Sequence, residues 1–176
     1  AWTICAMYVG LLSQSFGTYY LPKLSGIKKP NERVLLMRDM FRIVSMFLPT
    51  IIVTIILLKP FIISLLYSSE FMPSVKILRW MFIADYFKVT GWVFGFTLLA
   101  YVDAKVYYWK ELLTQIVLIV ATYVSIIMYN KIEGIGIGIL IMYFLNLSYL
   151  AYYVWNRHGF SVTKNIASHW LSGLGW

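Results

Sequence analysis

The chain has 176 residues, 61% of them hydrophobic and 12% charged, where soluble domains carry about 25% charged residues. A soluble fold of this size could not cover that much apolar surface, so composition excludes an ordinary soluble domain. The net charge of +8, from 15 Lys and Arg against 7 Asp and Glu, comes without a basic stripe set in polar surroundings. It therefore argues for basic loops on one side of a membrane and against a nucleic-acid partner.

Five stretches are apolar and long enough for a spanning helix, which needs roughly 20 residues. The first, about 1–21, holds no charge. It opens without an initiator Met or a basic flank, unlike a signal peptide, and residue 1 is expected to lie partway through a longer protein. Cys5, the only cysteine, sits between Ile4 and Ala6 and reads as a small hydrophobe; no intrachain disulfide or cysteine-cluster metal site is possible. Gln14 is expected to make an interhelical hydrogen bond. Between the first and second spans, residues 31–43 are amphipathic, with Leu36, Met37, Met40, Phe41 and Ile43 on one side and Glu32, Arg38, Asp39 and Arg42 on the other. Asn31 reads as an N-cap after Pro30, and the segment is expected to lie on the membrane surface before feeding the second span.

The second span, about 44–67, contains Lys59 beside Pro60; the third, about 77–101, contains Arg79, Asp85 and Lys88. The fourth, about 112–129, and the fifth, about 135–155, are free of charge. Runs such as Ile51 to Leu58 show no period of two, which excludes a membrane barrel. The fold expected is an all-α integral membrane protein with about five transmembrane helices, spread over residues 1–156, and a cytoplasmic tail, 157–176.

Loop charges orient the spans. Lys23, Lys28, Lys29, Arg33, Arg38, Arg42, Lys105, Lys110, Arg157 and Lys164 fall on one side, while Lys76, Lys131 and a snorkelling Arg79 fall on the other. That bias puts the first long loop, the loop after the third span and the C-terminus in the cytoplasm. Tyr19 and Tyr20, Tyr107 to Trp109, and Tyr152 to Trp155 form the matching interfacial belt.

Nothing in the pattern carries catalysis, a cofactor or a metal. Gly134, Gly136 and Gly138 do not make a dinucleotide fingerprint, because Ile139 stands where the third glycine belongs. The spacing of Gly134 and Gly138, like that of Gly91 and Gly95, fits close helix packing. His158 and His169 lie in a polar tail without acidic or Cys neighbours. The charges inside spans are the functional candidates, because an ionisable group near the bilayer centre costs about 3 kcal/mol and is retained where it faces a cavity. Asp85 and Lys88, three apart on one helix face, form either a self-neutralising pair or the lining of a water-filled cavity. Lys59 lies where its stem either snorkels outward or, beside the kink expected at Pro60, faces the cavity.

Two segments carry a resemblance. Gln14-Ser15-Phe16-Gly17-Thr18-Tyr19-Tyr20-Leu21-Pro22-Lys23-Leu24-Ser25 resembles the end of the eighth span in Wzx-type O-antigen and enterobacterial common antigen flippases. Leu78-Arg79-Trp80, then Asp85-Tyr86-Phe87-Lys88, Trp92, Gly95 and Ala100, followed by Lys105 and Glu111, resembles the same family's charged span and the loop after it. Ala84 stands where the family often has Gly. The resemblance implies spans eight to twelve of a two-lobed, twelve-helix transporter of the multidrug and oligosaccharidyl-lipid exporter superfamily, with both termini cytoplasmic in the bacterial inner membrane. It also implies flipping of an undecaprenyl-pyrophosphate-linked oligosaccharide for O-antigen or a related surface polysaccharide. The partners would be that substrate and membrane lipids, with a polysaccharide polymerase and chain-length proteins as further candidates. Lys88 is the first candidate to hold the pyrophosphate, with Arg79 and Lys59 behind it, Asp85 as its anchor or as an ion-coupling group, and Trp92 and Glu111 beside them. A cation-coupled multidrug antiporter of the same superfamily would favour cavity carboxylates, against three basic residues and one acidic in these spans. A non-transporting scaffold has no use for a buried Asp85 and Lys88. A membrane transferase would need acidic or His clusters at its loop edges, and none is present.

Overall fold

A computed structural model describes residues 2–66, 72–100, 104–129 and 133–158. Every element among them is helical, and four helices are long and apolar enough to cross a bilayer, through Pro30–Leu58, Ile77–Ala100, Lys105–Tyr129 and Glu133–Arg157. The chain is an all-α, multi-pass membrane protein.

The first expected span is helical but not uniform. Helix α1 (Trp2–Ser15) runs into a π-helical turn (Phe16–Tyr20) and then α2 (Leu21–Gly26). The widened turn stands directly before Pro22, whose ring would strike the carbonyl four residues back, that of Thr18, and has no N–H to offer it. A turn with one extra residue moves that carbonyl aside. It also rotates Phe16 and Tyr20 into the core, where both are buried.

Helix α3 (Pro30–Leu66) is a single 37-residue helix. It absorbs the amphipathic segment 31–43, which was expected to be a surface helix feeding the span. Pro30 is its first residue, where a missing N–H costs nothing, and Asn31 lies inside the helix rather than capping it. The apolar side of the segment meets protein: Met37 and Phe41 are buried, and Phe41 lies 5.6 Å from Phe94 between ring centroids. Ile43, expected on that side, is exposed.

Helices α4 (Met72–Ala100), α5 (Ala104–Tyr129) and α6 (Glu133–His158) complete the described fold. Helix α4 is the hub. Phe82, Val89, Val93, Phe94 and Leu98 are fully buried along it, between α1–α3 on one side and α6 on the other. Phe16 stacks on Phe96 at 5.7 Å, and the Tyr20 hydroxyl donates to the Val93 carbonyl at 3.1 Å, which also accepts from the Thr97 hydroxyl at 3.0 Å.

Glycine places α6 against its neighbours. A Cβ on Gly134 would sit 2.6 Å from the Ser125 carbonyl oxygen, and one on Gly138 would sit 2.5 Å from Thr122 Cα, so both glycines bring α6 against α5 backbone to backbone. Gly136 does the same toward α4, where a Cβ would lie 2.9 Å from Trp80 Cβ. Gly91 and Gly95 differ from the expectation of a close helix contact: their nearest neighbours, on Leu147 and Leu150, stand at ordinary contact distance, 3.8 Å or more. The side chain of Lys59 lies outside the described residues. So do residues 159–176, which include most of the expected cytoplasmic tail.

Candidate substrate cavity

A cavity of about 400 Å³ lies between α4, α5 and α6, with Ser13 of α1 at its edge. Helix α4 supplies Lys88, Gly91, Trp92 and Gly95, spaced three and four apart and therefore on one face. The two glycines leave this wall without side chains, so their contribution is cavity space. Helix α5 supplies Tyr107, Lys110, Glu111 and Thr114 by the same spacing, and Tyr143 and Asn146 of α6 close the third side.

Lys88 is half-buried, and its ammonium stands over two rings, 5.7 Å from the centre of Trp92 and 5.3 Å from that of Tyr143. Such cation–ring contacts help to hold a cation where water is scarce. Trp92 is itself held edge-on by Phe16 at 6.3 Å, which ties this wall to the π-helical turn. One turn away Asp85 is 5% exposed. Its carboxylate accepts a hydrogen bond from the Tyr8 hydroxyl of α1 at 2.6 Å and interacts electrostatically with Lys88. A second, small cavity of about 40 Å³, lined by Cys5, Asp85, Lys88 and Tyr143, adjoins the large one through Lys88 and Tyr143. Asp85 therefore bonds to another helix as well as balancing Lys88, and it positions the α1–α4 pair.

The structure brings Lys88, Trp92 and Glu111 to the large cavity, with Asp85 directly behind Lys88. Arg79 is elsewhere. It is exposed, its side chain pairs with Glu133 at the start of α6 at 3.0 Å, and its guanidinium lies 4.9 Å from the Trp80 ring. Nine residues from Lys88, it lies roughly 13 Å away along the helix axis. Gln14 is exposed rather than packed between helices.

Lys110 is the residue that counting loop charges misplaced. Helix α5 starts at Ala104, eight residues before the expected span, and Lys110 is 7% exposed within it. Its ammonium pairs with Glu111 and stands 4.9 Å from the Tyr107 ring centre. The recurrence Tyr107, Lys110, Glu111, Thr114, Leu118 is a helical face, and that periodicity was the available signal. The cavity thus presents Lys88, backed by Asp85, and the Lys110–Glu111 pair on its facing wall.

Neither a protein-family model nor a solved structure matches the chain. It is similar to the lipid III flippase of Escherichia coli strain K12, with 28% identity over 112 residues, covering 62% of this chain and 26% of that protein. The lipid III flippase of Shigella flexneri matches equally, at 28% identity over the same length. The chain thus spans about a quarter of the length of the curated relatives it matches, and both of these relatives are flippases.

Proposed function

We propose that this chain is part of a flippase that carries a lipid-linked oligosaccharide across the bacterial inner membrane, for O-antigen or a related surface polysaccharide. The observation that carries this reading is Lys88, a cation held between Trp92 and Tyr143 in a cavity among membrane helices. The similarity to lipid III flippases supports it independently. A sugar chain and a pyrophosphate lose their hydrogen bonds to water in hydrocarbon, at several kcal/mol per group. A cavity that offers ammonium, hydroxyl and carboxamide groups replaces those bonds. In this reading Lys88 holds the pyrophosphate, Asp85 with Tyr8 holds Lys88 in place, and Lys110 with Glu111 forms the facing wall. Arg79, paired with Glu133, acts outside this cavity or not at all. The cavity lies toward the helix ends that carry Lys23 to Arg42 and Lys105, the cytoplasmic end by charge bias, so substrate would be received from the inner leaflet.

The test is restoration of surface polysaccharide in a flippase-deficient bacterium by the full-length protein. The wild type should restore it. Lys88→Ala should abolish export at normal membrane abundance, and Lys88→Arg should keep part of it, since the charge survives while donor geometry changes. Full export by an abundant Lys88→Ala protein would remove Lys88 from the mechanism, and failure of the wild type would remove the function.

A further inference from the structure

Helix α3 is longer than a bilayer is thick. Its 37 residues extend roughly 55 Å, against a hydrocarbon core of about 30 Å. The sequence divides it: Glu32, Arg33, Arg38, Asp39 and Arg42 fall in the first part, and Ile43 to Leu58 carries no charge. Arg42 therefore stands where the helix enters hydrocarbon. The packing agrees, because Phe41 lies against Phe94, which is roughly 9 Å along α4 from its last residue, Ala100. From that depth an arginine stem reaches the headgroup layer.

Three basic residues nearby already have partners. Lys29 pairs with Glu32 at 3.1 Å, Lys23 donates to the Tyr19 hydroxyl at 2.9 Å, and the Arg33 Nε donates to the Ile27 carbonyl. Arg38 and Arg42 differ. The Arg38 Nε–H is buried with no acceptor among the described residues, and Arg42 is exposed with no hydrogen-bond or ion-pair partner among them. Asp39, between them in sequence, is exposed and pairs with neither. The two arginines are one turn apart on the helix, with Cβ atoms about 6 Å from each other. Two guanidinium forks at that spacing fit the oxygens of one phosphate. Beyond Arg42 the same exposed side carries Met46, Val53 and Leu57, a row along which an acyl chain can lie.

We propose that Arg38 and Arg42 form a binding site for an anionic phospholipid of the cytoplasmic leaflet. Its phosphodiester sits on the two guanidinium groups and an acyl chain runs along Met46, Val53 and Leu57. The site lies outside the substrate cavity, none of whose described lining residues is on α3, which separates its occupant from the transported molecule. Charge selects the class of lipid. Lys23, Lys28, Lys29, Arg33, Arg38 and Arg42 outnumber Glu32 and Asp39, and an anionic headgroup offsets that surplus where a zwitterionic one does not. Orienting the helix needs only charge. The buried, unpaired donor of Arg38 is what orientation leaves unexplained, and a phosphate oxygen satisfies it.

The experiment uses the full-length protein in detergent, titrated with phosphatidylglycerol, phosphatidylethanolamine or inorganic phosphate, with bound lipid counted by native mass spectrometry. Phosphatidylglycerol should bind in preference to phosphatidylethanolamine, and inorganic phosphate should not displace it. Arg42→Gln, an exposed change that spares the core, should weaken phosphatidylglycerol binding about tenfold, the order of one lost hydrogen bond to a charged group. Arg38→Lys combined with Arg42→Lys keeps both charges and should weaken it as well, because an ammonium lacks the fork. Lys29→Gln removes an equal charge from a residue already paired and should change nothing. Equal weakening by Lys29→Gln would reduce the site to diffuse attraction and overturn the proposal. Full affinity in the Arg42→Gln and double-lysine proteins would place the lipid elsewhere. Equal binding of phosphatidylethanolamine would remove the anionic selectivity, and displacement by inorganic phosphate would make this a site for the soluble ion, so either result would overturn it too.

Discussion

Helices α4 and α5 face each other across the cavity, and their burial inverts the habit of soluble proteins. Two thirds of the span of α4 (67%) is buried against protein, compared with 6% of α5, yet α4 is the one carrying Arg79, Asp85 and Lys88. In water the more apolar helix would be central. In lipid an apolar face needs no cover, and polar groups seek protein partners, so the helix charged along its middle becomes the hub and α5, free of charge beyond Glu111, stays at the rim. The cation, the carboxylate and the glycine-lined wall of the cavity all sit on the hub. The rim helix contributes about three turns near its start, Tyr107 to Leu118, and beyond them meets α6 at Thr122 and Ser125 while its other faces stay bare.

If packing is concentrated where helices approach through glycine, the largest effect should come from filling that approach. Gly138→Leu drives a side chain into the Thr122 backbone of α5 and should cost about 3 kcal/mol, the upper part of the overpacking range. The measurement is thermal unfolding in detergent together with membrane abundance. Gly95→Ala is the control on the hub, because its Cβ would find Leu150 at 3.9 Å, an ordinary contact, and should leave the midpoint unchanged. Equal losses from the two would mean that the cavity wall is packed as tightly as the seam.

A smaller effect belongs to the link between α1 and the hub. Tyr8→Phe removes one hydrogen bond to a carboxylate that is 5% exposed and keeps Cys5 and Lys88 beside it, and should cost about 1 kcal/mol, the net worth of a hydrogen bond. If unfolding in detergent does not change, water reaches Asp85 and the hydroxyl is not its support. Asp85→Asn combined with Tyr8→Phe should cost less than the sum of the two single changes, since the second removes what the first leaves unpaired.

The spans were legible because runs of about twenty apolar residues have few other uses, and the charged face of α4 was legible because an ionisable group in such a run needs a reason. What escaped is what depends on partners far along the chain. Lys110 was counted as a loop charge because hydropathy falls across Tyr107 to Glu111, and nothing local says that α6 will cover it. Asp85 was paired with Lys88, its neighbour by periodicity, whereas its hydrogen-bond donor lies 77 residues earlier in the chain. The segment 31–43 showed an apolar side but not what covers it, and the π-helical turn before Pro22 is a local strain that an average over twenty residues cannot register. Gly91 and Gly95 have the same spacing as Gly134 and Gly138, yet one pair borders a cavity and the other a backbone. Spacing selects the face; only the neighbour decides whether the face is filled.

The smallest expected effect is the one that most sharpens the contrast of hub and rim. Ile119 on α5 is 69% exposed and Val93 on α4 is 0% exposed. Truncating Val93 to Ala leaves a void among close-packed side chains and should cost about 1–2 kcal/mol, although only two methyl groups are lost. Truncating Ile119 to Ala removes more carbon, but lipid flows into the space and no protein contact is broken, so the change should stay within about 0.5 kcal/mol. Burial, not the size of the deletion, then sets the order, and unfolding in lipid nanodiscs reads it directly. The reverse order would mean that the bare face of α5 is covered by protein in the intact molecule, and that the helix placed here at the rim is another part of the core.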